Sequence, residues 1–186
     1  MKKILFGLFL FKVLFMSAQS LEHPVIWTTA AEKPAILEKI QKYSWASTIV
    51  SQTKSLIDAK VNAHVSNPAT FLNTISALAT DDNVSEGQAG SAIAAHSSTL
   101  QNASYAAMVY HISGEEKYAQ FAADVLWYYI EELAPRTPDK TAMSGNYFAD
   151  PRTGYLHFAM AYDFVVNYLK KPETKVYQKS SGNKIP

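Results

Sequence analysis

The stretch that decides the fold is Ser104–Ala134, SYAAMVYHISGEEKYAQFAADVLWYYIEELA. It reads as two apolar helices joined by a tight glycine turn. In the second half Tyr118, Phe121, Ala122, Val125, Leu126, Tyr129, Ile130 and Leu133 recur at the spacing of one helix face. Gly114 stands where a left-handed C-terminal cap would close the first helix. Glu115 and Glu116 open the next one, where carboxylates complement the positive end of the helix dipole.

Working outward from this hairpin, the spacing predicts three helices before it and one after. Thr29 and Glu32 have the form of a capping box, and Ile36, Leu37 and Ile40 make the buried face of a helix ending near Tyr43. Trp45, Ile49, Leu56, Ile57 and Val61 define a second helix reaching His64, and Asn67-Pro68 breaks it. Phe71, Leu72, Ile75 and Leu78 fit a short third one. Residues 81–91 (DDNVSEGQAGS) read as a turn-rich loop facing ligand, with His64 and His96 at its flanks. The hairpin's first helix is expected over 98–112 and its second over 115–133. A second polar loop, 139–153, carries Tyr147, Phe148 and Arg152 before a helix that starts near Gly154. That helix is apolar most of the way round, which fits burial between neighbours. Thr174–Gln178 is β-like, and the turn-like residues after it lead into a strand that breaks off, so the C-terminus reads as a truncation. The class is all-α: antiparallel hairpins forming the first part of a larger array.

Residues 1–20 read as an export signal. Lys2 and Lys3 precede an apolar run from Ile4 to Met16, and Ala18 and Ser20 supply small residues for cleavage. A mature domain over 21–186, secreted or periplasmic, follows from this reading. Nothing downstream is long and apolar enough to span a membrane. Losing Lys2, Lys3 and Lys12 moves the formal charge from +1 to −2, and Arg136 and Arg152 are the only arginines. That balance excludes nucleic acid as a partner. The chain has no cysteine, so disulfides and thiolate metal sites are excluded as well. No metal and no cofactor is implied.

The order of motifs carries a resemblance. His23-Pro24, Trp27–Ala30 and Pro34–Leu37, then the hairpin core Ala106–Leu126, then Pro151–Val165 with its Tyr162-Asp163 pair, together resemble exported polysaccharide lyases of the heparinase II/III and alginate-lyase type. The resemblance covers about Glu22 to Pro186. It implies an incomplete α/α toroid, and β-elimination of an acidic, uronate-containing polysaccharide such as alginate or a glycosaminoglycan. The family's Asn-His motif, catalytic Tyr and later His fall beyond anything aligned with this chain. No catalytic role therefore passes to its residues, and alone it would be inactive.

For substrate binding, Arg152 suits a uronate carboxylate, Tyr147 can stack on a sugar ring, and His96 can reach a cleft. Against these stand a salt bridge for Arg152, a loop anchor for Tyr147 and a solvated His96. His111 and His157 read as structural histidines hydrogen-bonded between helices. Asp163 reads as an acceptor for a loop, with Tyr162 packed beside it. Two other functions fit less well: a small exported helical protein that binds carbohydrate or another partner, and a toroidal glycoside hydrolase, for which no convincing acidic pair is present.

Overall fold

The computed structural model describes residues 22–76, 86–133 and 154–176. Among these the structure is helical and contains no strand. A short 3-10 turn at Ala30–Glu32 leads into α1 (Lys33–Lys42), followed by α2 (Ser44–Ser66), α3 (Pro68–Ser76), α4 (Glu86–Ser113), α5 (Glu116–Tyr128) and α6 (Tyr155–Leu169). The most extensive packing is between α4 and α6 and between α4 and α5.

The start of the first helix uses the residues expected of it. The Glu32 carboxylate accepts from the Thr29 N–H at 2.8 Å and from the hydroxyls of Thr28 and Thr29, and these bonds lower its pKa. Its apolar face differs from expectation. No residue of α1 is buried, and Ile36, Leu37 and Ile40 are half-buried. In α2 the buried side is Ala46, Ile57, Val61 and His64. Trp45 and Leu56, expected in the core, are 60% and 63% exposed, and Ile49 lies beside them on the open side. The two stripes are rotated from each other by about one residue's turn, and only one faces α4 and α5.

The hairpin forms as its sequence requires. Gly114 has φ +74°, and its N–H donates to the Tyr110 carbonyl at 2.8 Å. Tyr118, Phe121, Ala122 and Val125 are fully buried. The Tyr118 hydroxyl donates to Asp58 at 2.6 Å, and burial together with that bond pushes it up to about 12. After Tyr128 the helix widens into a π turn, Tyr129–Leu133. Tyr129 stays buried, while Ile130, at the edge of the same expected face, is 45% exposed. A Cβ added at Gly114 would meet nothing within 4 Å, so Gly114→Ala isolates the backbone cost. We expect a loss of about 1 kcal/mol, seen as a lower urea midpoint at unchanged slope. A loss several times larger would mean that the turn is held by more than its conformation.

Two expectations about length are corrected. The helix expected to begin near Ser98 begins at Glu86, so residues 86–98 are helix and not loop. Of the β-like 174–178 segment, residues 174–176 are irregular, and the rest lies outside the described residues. The last helix starts beside Gly154 as expected and buries Met160, Ala161 and Phe164–Val166.

The lead-in segment is strapped across α6. Asp163 Oδ2 accepts from the N–H groups of Val25 and Ile26 at 2.8 and 2.9 Å, and Oδ1 lies 2.6 Å from His23 Nδ1. The Asn167 side-chain amide donates to the His23 carbonyl at 2.9 Å. Burial alone would raise the Asp163 carboxyl. The bonds from His23, Ile26 and Val25 outweigh it and hold the carboxyl below the usual carboxylate range. Asp163 therefore does what its sequence position implied. Tyr162 does not pack, and is 47% exposed.

Candidate functional site

An antiparallel hairpin sends successive connections to opposite ends, so α4, α5 and α6 present two different ends. At one end lie the Gly114 turn, the start of α5 and the finish of α6, where Lys171 Nζ donates to Glu116 at 2.8 Å. At the other lie the first turns of α4, the finish of α5 and the start of α6. Here His96 Nδ1 is 2.8 Å from the Tyr129 hydroxyl, and the Ser104 hydroxyl is 3.1 Å from His157 Nδ1. The chain leaves the π turn after α5 at Leu133 and enters α6 from Gly154, both at this second end.

Of the three residues assigned to substrate, Arg152 and Tyr147 lie outside the described residues, with flanks at this second end. His96 is described, and its surroundings correct the expectation of a solvated loop histidine. It sits within α4 at 1% exposure, its ring edge-on to Tyr129. Tyr129 is raised by burial against an opposing bond from Thr99, so its hydroxyl keeps its proton. His157 is lowered by burial, which keeps its imidazole neutral, and it bridges α6 to Ser104 as a structural histidine should.

A buried polar network lies behind the hairpin, and local reading of the sequence does not find it. His64, expected beside a loop, is 1% exposed, with Nε2 2.9 Å from Asp124 Oδ2. The Phe71 and Phe121 rings stand edge-on to it at 5.8 and 5.5 Å. Asp124 Oδ1 accepts from the Gln120 amide at 2.8 Å, and Gln120 Oε1 accepts from the Tyr168 hydroxyl at 2.7 Å. Gln120 also donates to the Lys175 carbonyl at 2.8 Å. Tyr168 is pushed up to about 12 by burial and by the charges of Glu116 and Asp124. The network joins α2, α5, α6 and the segment after α6. A signal for it is present in the sequence: Gln120 and Asp124 are polar residues four apart within an otherwise apolar run, where they can only be accommodated with partners.

The first end carries a cavity of about 210 Å³. The lead-in, α1, the hairpin turn and α6 converge on it, and Lys33, His111, Glu116, Asn167 and Lys171 are among its walls. The His111 ring lies 5.3 Å from that of Phe164, tilted by 51°, and its Nε2 is buried with no hydrogen-bond partner among the described residues. Burial and the Lys33 charge lower its pKa, while Asp163 pulls the other way; the imidazole is neutral at neutral pH. Among the described residues His111 is thus held between helices by ring packing and not, as expected, by a hydrogen bond. Among the described residues no three His, Asp or Glu side chains gather as a metal set, and no helix is long and apolar enough to cross a membrane.

No protein-family model and no solved structure matches the chain. Among characterised proteins, an endo-acting ulvan lyase of Formosa agariphila is 47% identical over 175 residues, which is 94% of this chain. The chain spans 21% of that protein's own length. The resemblance to polysaccharide lyases carried by the motif order is therefore shown: along nearly all of its length this chain is similar to about a fifth of such an enzyme.

Proposed function

We propose that the chain is part of a secreted polysaccharide lyase, with residues 1–20 as its export signal and 21–186 as the first portion of an incomplete α/α toroid. The enzyme cleaves a uronate-containing polysaccharide within the polymer by β-elimination. The observation that carries this reading is the 47% identity over 94% of the chain to an endo-acting ulvan lyase. The same likeness favours ulvan over alginate or a glycosaminoglycan as the substrate.

In β-elimination a base removes the proton beside the carboxylate and an acid protonates the leaving oxygen, while donors neutralise the developing carbanion charge. The described residues hold neutral histidines and protonated tyrosines, yet each pair that touches joins one helix to another. Cleavage therefore rests on residues from the remainder of the enzyme. This part supplies framework and, through Tyr147 and Arg152, contacts to sugar.

The test has two arms: the protein translated from the reading frame continued past the Pro186 codon, and the 186-residue chain by itself. Both are assayed for ultraviolet-absorbing unsaturated ends on ulvan, alginate, heparin and chondroitin. We expect the longer protein to act on ulvan and the 186-residue chain to act on none of these polymers. A stop codon directly after Pro186, or a longer protein inert on every one, would overturn the reading.

A further inference from the structure

We propose that the cavity at the Gly114 end binds the anionic group of an acidic sugar, a uronate carboxylate or a sulfate ester. This end is opposite the one where the chain passes Leu133 and enters α6 beside Gly154. Its volume of about 210 Å³ is below the ~300–1,000 Å³ of pockets for drug-sized ligands. It suits one charged group or sugar ring and not a length of polymer.

The electrostatics favour an anion. Lys33 and Lys171 both line the cavity. Lys171 is shared with Glu116, whereas Lys33 forms no ion pair among the described residues. The Asp163 charge nearby is already met by two backbone N–H groups and by His23, and so opposes an incoming anion less than its position implies. The Asn167 amide is occupied by the His23 carbonyl and fixes the wall. That leaves the Lys33 ammonium as the principal unmatched charge, facing a neutral His111 imidazole. A carboxylate or sulfate placed there gains a charge-assisted hydrogen bond from Lys33.

The class of ligand rests on the proposed function; the place rests on the geometry. Binding is therefore read without turnover. The ring resonances of His111 are followed by NMR in the full chain while glucuronate, a glucose sulfate ester or glucose is added. We expect saturable shifts with an acidic sugar and none with glucose, and the tighter of the two acids identifies the group recognised. Lys33→Met should weaken binding about tenfold, Lys33→Arg should largely restore it, and Lys60→Met should leave it unchanged. No saturable shift with either acid, an equal response to glucose, or a Lys33→Met protein that binds like the parent would overturn the proposal. Those results leave the lyase reading standing, just as an inactive longer protein with intact binding leaves this one standing.

Discussion

Asp124→Ala is expected to cost about 3–5 kcal/mol of folding stability, more than any other single change proposed for this chain. The carboxylate is buried, contacts His64 at 2.9 Å and accepts from Gln120 at 2.8 Å. Truncation strands the partners and not only the bond. The His64 imidazole, which has no partner at Nδ1 among the described residues, would lose its contact at Nε2 while still enclosed by Phe71 and Phe121. The Gln120 amide would keep the Lys175 carbonyl and lose the carboxylate. Urea unfolding of the variant gives the measurement. A loss under about 1 kcal/mol would show that the pair is dispensable. The double variant His64→Leu/Asp124→Leu separates the cost of stranded polar groups from that of lost packing. Replacing both partners by apolar groups of similar size should recover much of the loss.

Asp163→Ala should cost roughly 2–3 kcal/mol, less than its number of bonds suggests. The lead-in can lift away, and the freed N–H groups of Val25 and Ile26 then reach water. The decisive readout is therefore local. In the parent protein the amides of Val25 and Ile26 should exchange slowly, and in the variant at the rate of an unfolded peptide, with the amides of α5 unchanged. The pH dependence follows from the sign of the shift. The Asp163 carboxyl is lower in the folded protein than in the unfolded chain. Its contribution is therefore complete above the ordinary aspartate range, about 4, and disappears as the pH falls through the lower folded value. Slow exchange at Val25 in the variant at neutral pH would mean that the strap is held by something other than Asp163.

How far the sequence can be read depends on whether the deciding interaction is local. Gly114, the Thr29–Glu32 cap and the break at Asn67-Pro68 each act within a few residues, and each stands where its chemistry puts it. The first turns of α4 escape a reading by pattern because Gly, Ser and Ala there give no amphipathic period. Periodicity cannot report a helix whose residues are small on every side, although the alanines favour one. In α2 the pattern shows apolar residues but not which stripe meets a neighbour, and Trp45, Ile49 and Leu56 are on the other one. His64 and His96 read as solvent-facing because their partners, Asp124 and Tyr129, lie 60 and 33 residues away. No local rule joins residues so distant. Of the three residues that the sequence offered for substrate, only His96 falls among the described residues. The likeness to polysaccharide lyases is legible only from the order of several weak motifs, and the 47% identity to an endo-acting ulvan lyase supports that likeness.

The strap over α6 also sets an order of events for the growing chain. His23 and Asp163 are 140 residues apart, so the segment is made long before its seat on α6. Closing so long a loop brings no reward until α6 is present, whereas the Gly114 hairpin can close at once. The segment before α1 therefore waits, solvated and accessible, until α6 has been made. Protection of the Val25 and Ile26 amides would then mark the moment when the described helices have come together, a built-in indicator of completed folding.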